Sequence, residues 1–105
     1  MVINGHGGNY VLNNVVQESN VNGRRMALFP RSEDWTDARR AAGVTTSNHE
    51  DMHGGEGETS ILLAVLPEVV HPSYRDADFT ADDRRHLLTV GVRGYSESGI
   101  IGRAS

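Results

Sequence analysis

The 105-residue chain contains no cysteine. That removes disulfides, thiolate metal sites and thiol nucleophiles together. It also lacks a long apolar run. The longest, Ile61-Leu62-Leu63-Ala64-Val65-Leu66, is far short of the ~20 residues a membrane helix needs. Met1-Val2-Ile3, followed at once by a glycine-rich loop, does not read as a secretory leader, and none is expected. No excess of positive charge occurs: the formal net charge is -4, which gives no reason to expect nucleic acid or an anionic membrane surface as a partner. With no cysteine, an intracellular, cytoplasmic protein is the expectation. The charged fraction of 23% and hydrophobic fraction of 37% argue for a folded chain rather than a disordered one. A chain of this length buries roughly 60–65% of its unfolded surface, so its core has little margin.

The order of elements predicts an α/β protein. Val2-Ile3 reads as the end of a buried strand, and Asn4-Gly5-His6-Gly7-Gly8-Asn9 as a turn. Asn9 is suited to cap a helix in which Val11, Leu12, Val15 and Val16 share one face. Asn22-Gly23 is expected to end that helix, and Arg25 to Phe29 to form a second strand stopped by Pro30. Strand, helix, strand is the pattern of a parallel sheet. A short helix is expected from Trp35 to Ala42, capped by Asp34 and ended by Gly43. A second glycine-rich loop, Asp51 to Gly57, leads to a helix over Glu58 to Leu66 that is apolar nearly all round and predicted buried. Thr80 to Asp83 has the form of a capping box opening a helix to about Leu88. The stretch from Gly91 to Ser105 reads as a glycine- and serine-rich tail without a closing element. Residues 1–105 form one domain on this reading.

Two constellations are candidates for chemistry. His6 sits between glycines just past a strand, where open α/β sheets place their ligand sites; a plain surface-loop histidine is the competing reading. His53 and Glu58 stand five apart across a glycine-rich turn. An imidazole and a carboxylate brought together there suit zinc or manganese. The competing reading makes Glu58 a first-turn acid favoured by the helix dipole and His53 merely polar. Asp51 is placed either to orient a histidine or to be solvated. His49, His71 and His86 read as ordinary polar residues. Neither loop continues into a Walker Gly-Lys-Ser/Thr, the first fails the dinucleotide fingerprint, and no Gly-x-Ser-x-Gly elbow occurs.

At these residues the sequence resembles the creatininase (creatinine amidohydrolase) family. Asn4-Gly5-His6-Gly7-Gly8-Asn9 matches that family's Asn-Gly-His-Gly-Gly-Asn, and His53-Gly54-Gly55-Glu56-Gly57-Glu58-Thr59-Ser60 is similar to its His-Ala-Gly-x-x-Glu-Thr-Ser. Gly91 to Gly102 is a weaker match to a late glycine-rich stretch. The resemblance implies a three-layer α/β/α fold on a mainly parallel sheet, a two-metal centre of zinc or manganese, and hydrolysis of an amide C–N bond, often in a cyclic substrate. It implies that His6 and Glu58 are metal ligands converging at one sheet edge, and that His53 is the catalytic acid/base. Asn4, Asn9 and Asp51 would orient ligands or touch substrate. A homo-oligomer is implied for the complete fold. Gly8 stands where creatininase itself has a glutamate ligand, which speaks against creatinine as substrate, and Gly54 replaces the usual alanine. The family's early Glu-x-His-Gly-x-His-Leu-Pro segment does not occur. The chain is therefore expected to be a C-terminal portion of such an enzyme, and the alternative is an inactive fragment or partner subunit.

Overall fold

The computed structural model describes residues 1–104. It contains two strands and four α-helices: β1 (Val2–Ile3), α1 (Val11–Ser19), β2 (Leu28–Phe29), α2 (Ser32–Ala42), α3 (Glu56–Val65) and α4 (Leu87–Val90). Short 3-10 turns at Pro67–Val69, Pro72–Asp76 and Val92–Gly94 complete the order. The chain divides into two compact units, Met1–Ala38 and Arg39–Ser105.

In the first unit β1 and β2 pair in parallel, Val2 opposite Leu28 and Ile3 opposite Phe29. The expected strand–helix–strand unit is present, and its mixed character is compatible with an α/β protein. The second strand is shorter than its sequence predicts, because Asn20 intervenes. The Asn20 side chain accepts from the amides of Arg25 and Met26 at 2.7 and 2.9 Å and donates to the Met26 carbonyl at 2.9 Å. These bonds hold Arg25 and Met26 in a loop, and Asn20 is also the residue at which α1 ends. Asn9 makes no side-chain cap on α1, since its amide nitrogen donates instead to Asn4 Oδ1 at 3.0 Å. Helix α2 starts at Ser32, where the Asp34 carboxylate accepts from the Arg31 amide at 2.8 Å. Gly43 closes it as expected, with φ +73, a conformation open to glycine at little cost.

The second unit is organised around a segment that its sequence marks as a loose tail. Ile101 pairs antiparallel with His53, and Gly102 pairs antiparallel with Phe79. Ile101 is fully buried and is the one buried apolar side chain among the described residues. The tail is thus the inner rung of the unit, because main-chain pairing on both sides needs no hydrophobic pattern. Helix α3 departs from expectation in the other direction. Of its residues only Thr59 is buried, while Ile61 and Val65 are 50% and 64% exposed. The helix packs chiefly against the Pro67–Val69 turn that follows it, which is too short to cover an all-round apolar surface. No capping-box helix forms at Thr80. The Asp83 carboxylate is taken by Arg85, which donates from Nη2 at 2.7 Å, and Arg84 donates to the carbonyls of Ala81 and His49. Helix α4 therefore begins later, at Leu87. Among the described residues no helix is long and apolar enough to cross a membrane.

Candidate functional site

Each of the two glycine-rich loops is built by side chains folding onto their own backbone. In the first, Asn4 extends β1: its amide donates to the Phe29 carbonyl at 2.7 Å. Its side-chain Oδ1 then accepts from the His6 amide at 3.2 Å and from Asn9 Nδ2 at 3.0 Å. The Asn9 amide donates to the His6 carbonyl at 3.2 Å. Asn4 and Asn9 thus close the loop that displays His6, which is exposed. The imidazole lies over Gly8: a methyl carbon built there would stand 2.6 Å from His6 Nε2. A larger residue at position 8, such as the glutamate of creatininase itself, therefore requires the His6 ring to take another orientation.

The second loop is pinned from below by Asp51. Its side chain is 3% exposed, and Oδ2 accepts from Arg39 Nη2 at 2.6 Å and from the Gly57 amide at 2.7 Å. Arg39, itself 13% exposed, also donates to the Thr46 carbonyl and to Thr46 Oγ1. The glycines follow from this crowding. A methyl carbon on Gly55 would collide with Asp51 Oδ1 and stand 2.9 Å from the Gly102 Cα; one on Gly57 would collide with the Arg39 guanidinium. Gly54 has φ +67, the left-handed region that costs other residues about 1–2 kcal/mol.

His53 emerges from this base. Its backbone is held on both polar groups, the amide donating to the Ile101 carbonyl at 3.0 Å and the carbonyl accepting from the Ile101 amide at 2.9 Å. Its side chain is exposed and faces a cavity of about 280 Å³ lined also by Val92, Arg93, Ser96, Glu97 and Ser98. Glu58, in the first turn of α3, accepts from the Gly54 amide through Oε2 at 2.6 Å. Its carboxylate is thereby brought to the residue beside His53. Asp51 is the buried anchor of the loop. His6 belongs to the first unit, and Asp51, His53 and Glu58 to the second.

Several residues of this site had no mark in the sequence. Glu56 accepts from the amide and hydroxyl of Thr46 at 3.0 and 2.8 Å, and from the amide and hydroxyl of Thr45, both at 3.2 Å. Burial pushes its pKa up, but the threonine hydroxyls and amides outweigh that and leave it below the ordinary carboxylate value. Thr45 and Thr46 lie in a stretch that reads only as polar and irregular, and Arg39 reads as one more charge on a surface helix. Arg93, Glu97 and Ser98 lie inside the late glycine-rich stretch, and that weak match was the one available pointer to them.

Among the described residues no three histidine, aspartate or glutamate side chains converge as a metal site would require. No curated protein and no solved structure matches the chain. The family comparison does: the creatininase family, described as creatinine amidohydrolase, matches residues 1–105, a span that includes both glycine-rich loops, the cavity beside His53 and the Ile101–Gly102 rung, and the chain therefore belongs to that family.

Proposed function

We propose that the protein hydrolyses an amide C–N bond in a small cyclic or linear amide, with His53 as the acid/base. The observation that carries the reading is the family match over the whole chain, which makes amide hydrolysis the expected activity. The geometry supports the role given to His53. A proton-transfer group needs a fixed base and a free ring. The pair of backbone hydrogen bonds with Ile101 fixes the backbone, and the ring opens on a cavity large enough for a small molecule. In hydrolysis, water adds to the amide carbon, the C–N bond breaks, and the nitrogen leaves with a proton. The imidazole takes a proton from the water and returns one to the departing nitrogen.

Dependence on zinc or manganese is part of this proposal on family grounds, with His6 and Glu58 as candidate ligands. Zinc sites use three or four protein ligands, so these two do not complete one. The three-layer α/β/α arrangement, a cytoplasmic setting and a homo-oligomeric state belong to the same proposal. The test is an assay of the chain with zinc or manganese against a panel of cyclic and linear amides. Turnover lost in His53→Ala and in Glu58→Gln supports the reading. Turnover that survives His53→Ala, or none with any amide under either metal, sinks it.

A further inference from the structure

The cavity beside His53 is lined by two exposed side chains of opposite charge. Arg93 and Glu97 both line it. Neither makes a hydrogen bond or ion pair with any described residue, including each other. The other strongly engaged charges of this unit behave differently: Arg39 is bonded to Asp51, Arg85 to Asp83, and Glu56 to Thr45 and Thr46. The segment between the two free charges is fixed. Ser96 is 3% exposed and its amide donates to the Val92 carbonyl at 3.0 Å. Its hydroxyl lies 3.2 Å from that of Ser98, which accepts from the Ile100 amide at 3.2 Å. Tyr95 is tied by its hydroxyl, which accepts from the His86 amide at 2.9 Å. Arg93 and Glu97 are therefore carried on either side of a pinned residue, around the space onto which His53 opens.

We infer that this cavity selects a small zwitterionic amide, its carboxylate meeting Arg93 and its ammonium or other cationic group meeting Glu97. The inference rests on the reading of His53 as the acid/base and names the substrate class for it. A ligand with one charge gains from one of the two groups and is repelled by the other. A ligand with none leaves both without a partner. Only a ligand carrying both signs is favoured twice, which is how paired opposite charges discriminate between molecules of similar size. A guanidinium holds a carboxylate with two parallel N–H donors, so Arg93 also orients the molecule. The cavity volume of about 280 Å³ lies just under the ~300 Å³ at which ligand sites usually begin, so a compound no larger than a dipeptide is the size it suits.

The experiment is an amide NMR titration of the full chain with four probes: glycylglycine, acetylglycine, glycinamide and N-methylacetamide. Glycylglycine is expected to shift the amides of His53 and of residues 93–99 at the lowest concentration. Arg93→Gln and Glu97→Gln should each weaken it by about five-fold, the upper range for an exposed charge pair. The exchange Arg93→Glu with Glu97→Arg should restore binding, which a merely structural role would not do. The inference is overturned if all four probes act alike, if none shifts these amides, or if the single variants bind as the parent does. Its failure is distinguishable from that of the hydrolase reading. Selective binding of glycylglycine with no turnover of any amide keeps the inference and removes the enzyme. His53-dependent turnover of neutral and zwitterionic amides at equal rates does the reverse.

Discussion

Replacing Asp51 by asparagine should remove the base on which the His53 loop stands. The carboxylate is 3% exposed and is shared between Arg39 at 2.6 Å and the Gly57 amide at 2.7 Å. Asparagine keeps the size but removes the charge, and it leaves the Arg39 guanidinium, 13% exposed, without its counterion. Breaking one side of a buried pair costs about 3–5 kcal/mol. The loss is at the low end because Arg39 retains its bonds to the Thr46 carbonyl and hydroxyl. A domain of this size has about 5–15 kcal/mol in total, so Asp51→Asn should lower the urea midpoint markedly with little change in slope. Arg39→Met should do the same from the other side. The double variant should cost less than the sum of the two, since the second change removes a charge already left unpaired. Hydrogen exchange gives a local readout: protection of the Gly57 amide should fall in both single variants. If each single variant costs under ~1 kcal/mol, the pair is behaving as a solvated surface pair, and the argument that it fixes the loop fails.

Four further outcomes follow from the same geometry. Gly54→Ala, which restores the alanine usual in the family, should destabilise by about 1–2 kcal/mol because of φ +67, and Gly55→Ala by about 1–3 kcal/mol through overpacking against Asp51 and Gly102; thermal midpoints equal to the parent's would contradict both. Glu56 has its folded pKa held below the ordinary value of 4.5, so its contribution is present above that value and is lost as pH falls through the depressed folded one. The stability gap between parent and Glu56→Gln should be open at neutral pH and closed in strong acid, and a gap of constant size across that range would show that the threonine bonds do not favour the charged form. Zinc titrated calorimetrically into the chain should bind weakly, since no three ligand side chains converge among the described residues; tight uptake of two ions, abolished by His6→Ala, would be the refuting result.

The family and the local chemistry were legible in sequence because both are short-range. Asn4 to Asn9 carries its own hydrogen-bonding partners within six residues. The strand–helix–strand unit follows from one amphipathic helix between two apolar strands. The glycine at the end of α2 reports a backbone angle that sequence alone can specify. What tertiary structure decided lies between residues far apart. No pattern links Arg39 to Asp51, yet that pair and the Gly57 amide hold the loop. The Ile101–Gly102 rung escaped because main-chain pairing to His53 and Phe79 uses groups every residue possesses. Thr80 to Asp83 has the form of a capping box, but the Asp83 carboxylate accepts instead from the amide and guanidinium of Arg85, two residues along. The apolar character of α3 was plain in its residues; that Ile61 and Val65 stay exposed was not, because burial depends on what an element packs against, and a helix's own sequence says only which surface it offers.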